Sequence, residues 1–210
     1  MKLQLALDDI TMEQGLKVAE EVKDLIDILE LGTPFCYANP IGAIRIFKEA
    51  LQGVKILADY KIMDGGYGIA KMAYEAGADL TTVSGRTWDD TIRQAISAAR
   101  DYGKEILVDM MGVPDDKIAQ RGAELDEMGA DYICIHRAVS VASSTSPEEP
   151  LRILRETVSR TKVAVAGGLN CETLKKAVLH RPDLVIVGSS IAKAEDPRAV
   201  VLEMKQIMQG

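Results

Sequence analysis

The stretch Lys55-Ile-Leu-Ala-Asp59-Tyr-Lys61-Ile-Met-Asp64-Gly65-Gly66 sets two carboxylates and an ammonium at the end of an apolar run. Charges that close to a buried segment must pair or hold a metal, because burying them alone is costly. If the run is a parallel strand, Asp59 and Lys61 share its period of two and leave one face together at its carboxyl end. That is where α/β folds keep their chemistry. An ordinary turn after a strand, helped by Gly65-Gly66, would carry the same residues.

Other apolar runs close in a similar way, at Asp8, at Glu30 before Gly32-Thr33-Pro34, at Asp109 and at His136. Glu30 and Asp59 are hard oxygen ligands suited to Mg²⁺ (or Mn²⁺), which retains waters that a substrate can replace. A divalent ion bridging adjacent hydroxyl and carbonyl oxygens acidifies the C–H between them and stabilises an enediolate, with Lys61 assisting. His136 is the natural proton shuttle, since an imidazole titrates close to working pH. The last two runs lead into Gly167-Gly168 and Gly188-Ser189-Ser190. Glycines there free backbone N–H groups to approach an anion, and Ser189 and Ser190 add hydroxyls, so a phosphate monoester is expected. Thr33 is grouped with them as a substrate-binding hydroxyl. Taken singly, Asp8 could cap a helix and His136 could be a satisfied core histidine. As a set at strand ends they read as a site.

Such a set needs elements that bring it together. Strands are expected over Leu3 to Leu7, Asp27 to Leu31, Lys55 to Asp59, Asp79 to Val83, Glu105 to Met110, Tyr132 to His136, Lys162 to Ala166 and Asp183 to Val187. Most are continuous apolar runs, as in parallel sheets covered by helices. Helical stretches lie between them, such as Thr11 to Leu25, opened by a capping box of Thr11 and Gln14. Others stop at Gly77, Gly103 and Gly129. Eight strand–helix units predict a single-domain (β/α)8 TIM barrel over residues 1–210, with an open doubly wound sheet as the weaker alternative.

Composition agrees with that and narrows the partners. The 210 residues are 47% hydrophobic, enough for one full core, and 32 acidic against 25 basic residues give a net charge of −7. No lysine–arginine cluster argues for nucleic acid or an anionic membrane, and no run approaches the length of a spanning helix. Without a leader-like apolar start, a cytoplasmic location is expected. Cys36, Cys134 and Cys171 fit neither a disulfide framework nor a zinc site. Trp88 and His180 read as structural, and Arg86 as a solvated loop residue.

Asp59-x-Lys61-x-x-Asp64 after an apolar strand, with Asp8 and the glycine clamp, resembles the orotidine 5'-monophosphate decarboxylase superfamily. Glu30-Leu-Gly32-Thr33-Pro34 and Ala58-Asp59-x-Lys61-Ile-Met-Asp64-Gly65-Gly66 resemble its 3-hexulose-6-phosphate synthase branch. So do Met1-Lys2-Leu3-Gln4-Leu5-Ala6-Leu7-Asp8, Val108-Asp109-Met110, Gly129-Ala130-Asp131, Val165-Ala166-Gly167-Gly168 and Ala194-x-Asp196-Pro197. The resemblance implies a metal-dependent aldol lyase joining formaldehyde to D-ribulose 5-phosphate. It also implies a homodimer in which Asp64 reaches the neighbouring subunit's site. The sister branch, 3-keto-L-gulonate-6-phosphate decarboxylase, has glutamate at Asp109 and arginine at Ser189 and Val139, which favours the synthase. Arg137 to Ser146 lacks the acidic residue and glutamine of the family's closing loop, offering Ser140, Ser143 and Ser144 instead. A barrel that binds sugar phosphates without turning them over is the alternative from another class.

Overall fold

Apolar runs too short for helices alternate with amphipathic stretches, and in the computed structural model, which describes residues 1–138 and 146–210, the runs become eight parallel strands. These are β1 (Lys2–Leu7), β2 (Ile28–Leu31), β3 (Lys55–Ile62), β4 (Leu80–Ser84), β5 (Glu105–Asp109), β6 (Tyr132–His136), β7 (Lys162–Ala166) and β8 (Leu184–Val187). Each pairs with the next, and β8 pairs back to β1, closing a (β/α)8 barrel and excluding the open sheet. The outer ring contains α1 (Met12–Val22), α2 (Thr33–Ala38), α3 (Ala43–Ala50), α4 (Gly66–Glu75), α5 (Asp89–Asp101), α6 (Ile118–Met128), α7 (Glu148–Thr157), α8 (Cys171–Ala177), α9 (Ser189–Ala192) and α10 (Pro197–Gln209). Val139, Ser140, Ser143 and Ser144 lie outside the described residues.

Local signals operate where expected. Thr11 accepts from the Gln14 amide and the Gln14 side chain accepts from the Thr11 amide, so the capping box opens α1. The helix ends at Val22, short of Leu25. Gly77, Gly103 and Gly129 all take positive φ after helices.

Three expected strand starts fall one residue early, and the reason is repeated. Asp27, Asp79 and Asp183 do not join the ladder; their carboxylates accept the amides of Leu3, Ile56 and Val163 at 2.9 Å, and Asp131 does the same for Ile106. Every second unit thus ties its strand's entry to the preceding strand with a charge-assisted bond at the barrel floor. Trp88 also departs from its structural assignment. It stands before α5 with 83% of its surface exposed and contributes little to the core.

The core has two parts. One lies between sheet and helices, with Leu5, Leu29, Phe47, Ile56 and Val165 among its fully buried members. The other fills the barrel and includes Ala6, Ile28, Leu57, Leu80, Leu107, Tyr132, Cys134 and Leu184. Period two converts this interior layer into the site. Two residues beyond Ile28, Leu57, Leu80, Leu107 and Cys134 stand Glu30, Asp59, Thr82, Asp109 and His136, facing the same interior one layer higher.

Candidate active site

The carboxyl ends of the strands enclose a cavity of about 880 Å³. Asp8, Glu30, Asp59, Lys61, Asp109 and His136 line it from one side, and Gly167, Gly168, Gly188 and Ser189 from the other. Its size suits a small polar ligand with room for bound water.

β3 does not end at Asp59. It continues to Ile62, and its register against β4 shifts between Ala58 and Ile62. Inside this bulge Lys61 takes φ +43°, a left-handed conformation uncommon for a residue with a side chain. Simple alternation therefore does not explain why Asp59 and Lys61 meet. The bulge re-aims the backbone so that Lys61 Nζ lies 2.5 Å from Asp59 Oδ2 and 3.1 Å from Asp109 Oδ2. Burial alone would lower the proton affinity of Lys61; Asp59 and then Asp109 outweigh it, and the ammonium is held charged.

Asp109 Oδ2 also lies 2.9 Å from His136 Nδ1, while its Oδ1 accepts from the Met111 amide at 2.8 Å. Burial pushes the Asp109 carboxyl up, but His136 and Lys61 reverse this and hold it below the usual carboxylate range. A carboxylate so held can only accept, so the imidazole proton sits on Nδ1 and Nε2 keeps its lone pair. One carboxylate thereby links the ammonium to the imidazole.

Glu30 is buried, and its Oε2 accepts from Gln4 Nε2 at 2.5 Å. Burial first, and the Asp59 charge second, push its carboxyl well above the usual range. Asp8 stands at the open rim against the Gly32 backbone, where partial desolvation and Asp59 push its carboxyl up. Only glycine is compatible with position 32, since a Cβ there would meet Asp8 Oδ1 at 2.1 Å. Four carboxylates against one ammonium leave an excess of negative charge that a divalent cation would offset.

The described residues contain no group of three His, Cys, Asp or Glu placed to cage a metal. Mg²⁺ does not require one, because one or two carboxylates with waters and substrate oxygens satisfy it. Glu30 with Oε2 alone engaged, and Asp59 beside it, fit that donor set.

On the phosphate side Gly167 has φ +99° and Gly168 φ +66°, and a Cβ at 167 would meet the Arg137 carbonyl at 2.0 Å. Among the described residues no acceptor takes the amides of Gly168, Ser189 or Ser190. These N–H groups are available for an anion. Two hydroxyls expected to serve the substrate are engaged elsewhere. Ser190 donates to the Leu169 carbonyl at 2.8 Å, stapling the loops after β7 and β8, and it does not line the cavity. Thr33 lines it but donates to Asp59, at 2.7 Å from Oδ2. Asp64 also stays outside the cavity; it is exposed and accepts from the Gly65 amide.

Sequence reasoning missed Gln4 and Thr82. Each is a fully or almost fully buried polar residue inside an apolar strand, and that alone could have marked them. Cys36 is adjacent to the site, yet burial pushes its thiol up to about 12, which removes it as a nucleophile. Among the described residues no helix is long and apolar enough to cross a membrane.

The Orotidine 5'-phosphate decarboxylase / HUMPS family model matches residues 1–204. A 3-hexulose-6-phosphate synthase of Bacillus subtilis (strain 168) is 44% identical over 213 residues, covering all of both chains. The crystal structure of 3-hexulose-6-phosphate synthase from Salmonella typhimurium superposes with a TM-score of 0.95 at 38% identity, covering 100% of this chain and 99% of that one. KGPDC from Streptococcus mutans, solved in complex with a sugar phosphate, shares the fold with a TM-score of 0.89 at 23% identity, covering 99% of this chain and 97% of that one.

Proposed function

Because the chain belongs to the Orotidine 5'-phosphate decarboxylase / HUMPS family, we propose that it is an aldehyde-lyase acting as a 3-hexulose-6-phosphate synthase. It joins formaldehyde to D-ribulose 5-phosphate, giving D-arabino-3-hexulose 6-phosphate. The observation that carries this reading is the Lys61–Asp109–His136 chain in a cavity of sugar-phosphate size, in a protein 44% identical end to end to one of that name.

The amides of Gly168, Ser189 and Ser190 hold the phosphate, which fixes the sugar's far end toward β2 and β3. His136 Nε2 takes the proton from C1 as that C–H bond breaks, and Asp109 stabilises the imidazolium that forms. Lys61 stabilises the enediolate oxygens. C1 then bonds to the formaldehyde carbon, and its oxygen becomes a hydroxyl by taking the proton that His136 returns. Mg²⁺ (or Mn²⁺) held by Glu30 and Asp59 would supply charge stabilisation at the adjacent sugar oxygens.

The test is proton NMR in D₂O of protein, Mg²⁺ and D-ribulose 5-phosphate, with and without formaldehyde, beside a tube of 3-keto-L-gulonate 6-phosphate. Hexulose phosphate is the expected product. Turnover of the keto-gulonate alone would assign the sister decarboxylase activity instead. In the tube lacking formaldehyde, His136→Ala is expected to slow C1 exchange at least about 10²-fold; exchange at the wild-type rate removes His136 as the base.

A homodimer belongs to the same reading. Asp64 is exposed beside Met63, 57% exposed, and Thr87, next to Trp88, donates to the Met63 carbonyl. Exposed apolar surface grouped this way suits a second copy, which would receive Asp64 at its own cavity. Mixing inactive Asp64→Asn with inactive His136→Ala should then restore activity, since hybrid dimers hold one complete site. No recovery after subunit exchange would place Asp64 outside the chemistry. A cytoplasmic location follows from the same metabolic assignment, and fractionation of the source cells would check it.

A further inference from the structure

Thr82 is one of the few polar residues sealed inside the barrel, 3% exposed on β4 in the layer that carries Glu30, Asp59 and Asp109. Its hydroxyl does two things. It donates to Asp59 Oδ1 at 2.7 Å and accepts the Lys61 amide at 2.8 Å. A hydroxyl has one proton, so the direction of both bonds is fixed. An amide can only donate, leaving the proton for the carboxylate.

The second bond meets an unusual need. In the bulge, Lys61 at φ +43° has left the β3–β4 ladder, whose register resumes only at Ile62 opposite Val83. The amide of Lys61 therefore has no strand carbonyl, and a buried N–H left unpaired costs about 1–3 kcal/mol. The Thr82 hydroxyl substitutes for that carbonyl. Without it, relaxation of the bulge would return Lys61 to ordinary strand geometry and carry its ammonium away from Asp59 and Asp109.

The first bond divides the work of the Asp59 oxygens. Oδ2 meets both Lys61 Nζ and the Thr33 hydroxyl, whereas Oδ1 meets Thr82 alone. Oδ1 is thus the oxygen with a lone pair left to face the cavity, and Thr82 sets its orientation. Outer hydrogen bonds of this kind commonly change metal affinity or activity 10–100-fold when removed.

We propose that Thr82 is a positioning residue which, through one hydroxyl, holds Asp59 Oδ1 toward a divalent cation and the Lys61 backbone in its left-handed bulge. The inference rests on the metal assignment above for its Asp59 half only; the Lys61 half needs no metal. It differs from a packing role in a measurable way. The side chain's volume is retained in Thr82→Val, and its hydroxyl is retained in Thr82→Ser.

Purified wild type, T82V and T82S would be compared by Mn²⁺ binding, read by electron paramagnetic resonance without substrate, and by steady-state kinetics with D-ribulose 5-phosphate and formaldehyde. T82V is expected to bind Mn²⁺ roughly 10-fold more weakly and to lose about 10²-fold in kcat, with KM for the pentulose phosphate changed less than about threefold. T82S should recover both to within about threefold of wild type. T82S as impaired as T82V would overturn the proposal in favour of methyl packing, and so would T82V indistinguishable from wild type. If T82V does not fold, Thr82→Ala against T82S carries the same comparison. Wild type that binds no Mn²⁺ would sink the metal assignment and the Asp59 half with it, while the kcat comparison would still decide the Lys61 half.

Discussion

Replacing Asp109 by Asn is expected to lower turnover on the order of 10³–10⁴-fold, the scale seen when a triad histidine is left in the wrong tautomer. Asp109 Oδ2 faces both His136 Nδ1 and Lys61 Nζ, and its Oδ1 takes the Met111 amide. An amide cannot accept from all three. If its oxygen faces Lys61 and Met111, its NH₂ confronts Nδ1, which must then give up its proton; the proton moves to Nε2 and the base is lost. If it turns the other way, the NH₂ opposes the Lys61 ammonium. Either arrangement breaks the chain while the side chain keeps its shape. Phosphate-ester binding should change only a few-fold, because the glycine amides after β7 and β8 are remote from the substitution. D109N turning over within tenfold of wild type would show that the Lys61–Asp109–His136 chain is not the working unit.

Glu30→Gln is expected to move stability and activity in opposite directions. The Glu30 carboxyl, ordinarily near 4.5, is pushed well above that by burial and by Asp59. The folded protein therefore binds this proton more tightly than the unfolded chain does. Its stabilising contribution is complete below about pH 4.5 and is lost as pH rises toward the folded value. Glutamine keeps the volume and still offers an oxygen to the Gln4 amide, without a charge to bury. E30Q should therefore match wild type near pH 4 and exceed it by roughly 1–2 kcal/mol at pH 8, in metal-free buffer. Activity should fall at least about 10²-fold, and the gain in Tm that Mg²⁺ gives the wild type should vanish. Thermal unfolding with and without Mg²⁺ reads both effects. A variant still stabilised by Mg²⁺ would remove Glu30 from the metal, and one no more stable at pH 8 would remove the buried-charge account.

The opposite signs express one physical fact. Glu30 and Asp59 are adjacent buried carboxylates with one shared ammonium, an arrangement an inert barrel would gain by losing. That is also the strongest ground for preferring an enzyme over a barrel that merely binds sugar phosphates. E30Q and D109N test different halves of it, since the first removes a charge and the second removes an acceptor.

Local chemistry was sufficient for much of this. Eight apolar runs with helical spacers specified the barrel, because strands buried on both faces have no other short-range signature. The identity of the residues ending those runs located Asp8, Glu30, Asp59, Lys61, Asp109 and His136 at one mouth. Closure of the barrel then made them neighbours. Gly167 and Gly168 were legible because a positive φ beside another backbone admits little else.

What the tertiary structure alone decided was where hydrogens go and which atoms meet. The β3 bulge, not strand alternation, brings Lys61 to Asp59, and a bulge depends on the register of two strands distant in sequence. Thr33 and Ser190 looked like ligands for phosphate, yet they serve Asp59 and the Leu169 carbonyl, since a hydroxyl takes the nearest strong acceptor that folding presents. Gln4 and Thr82 showed nothing beyond polarity within apolar strands. Their partners Glu30 and Asp59 lie 26 and 23 residues away, and only the pairing of β1 with β2 and of β3 with β4 brings them into reach.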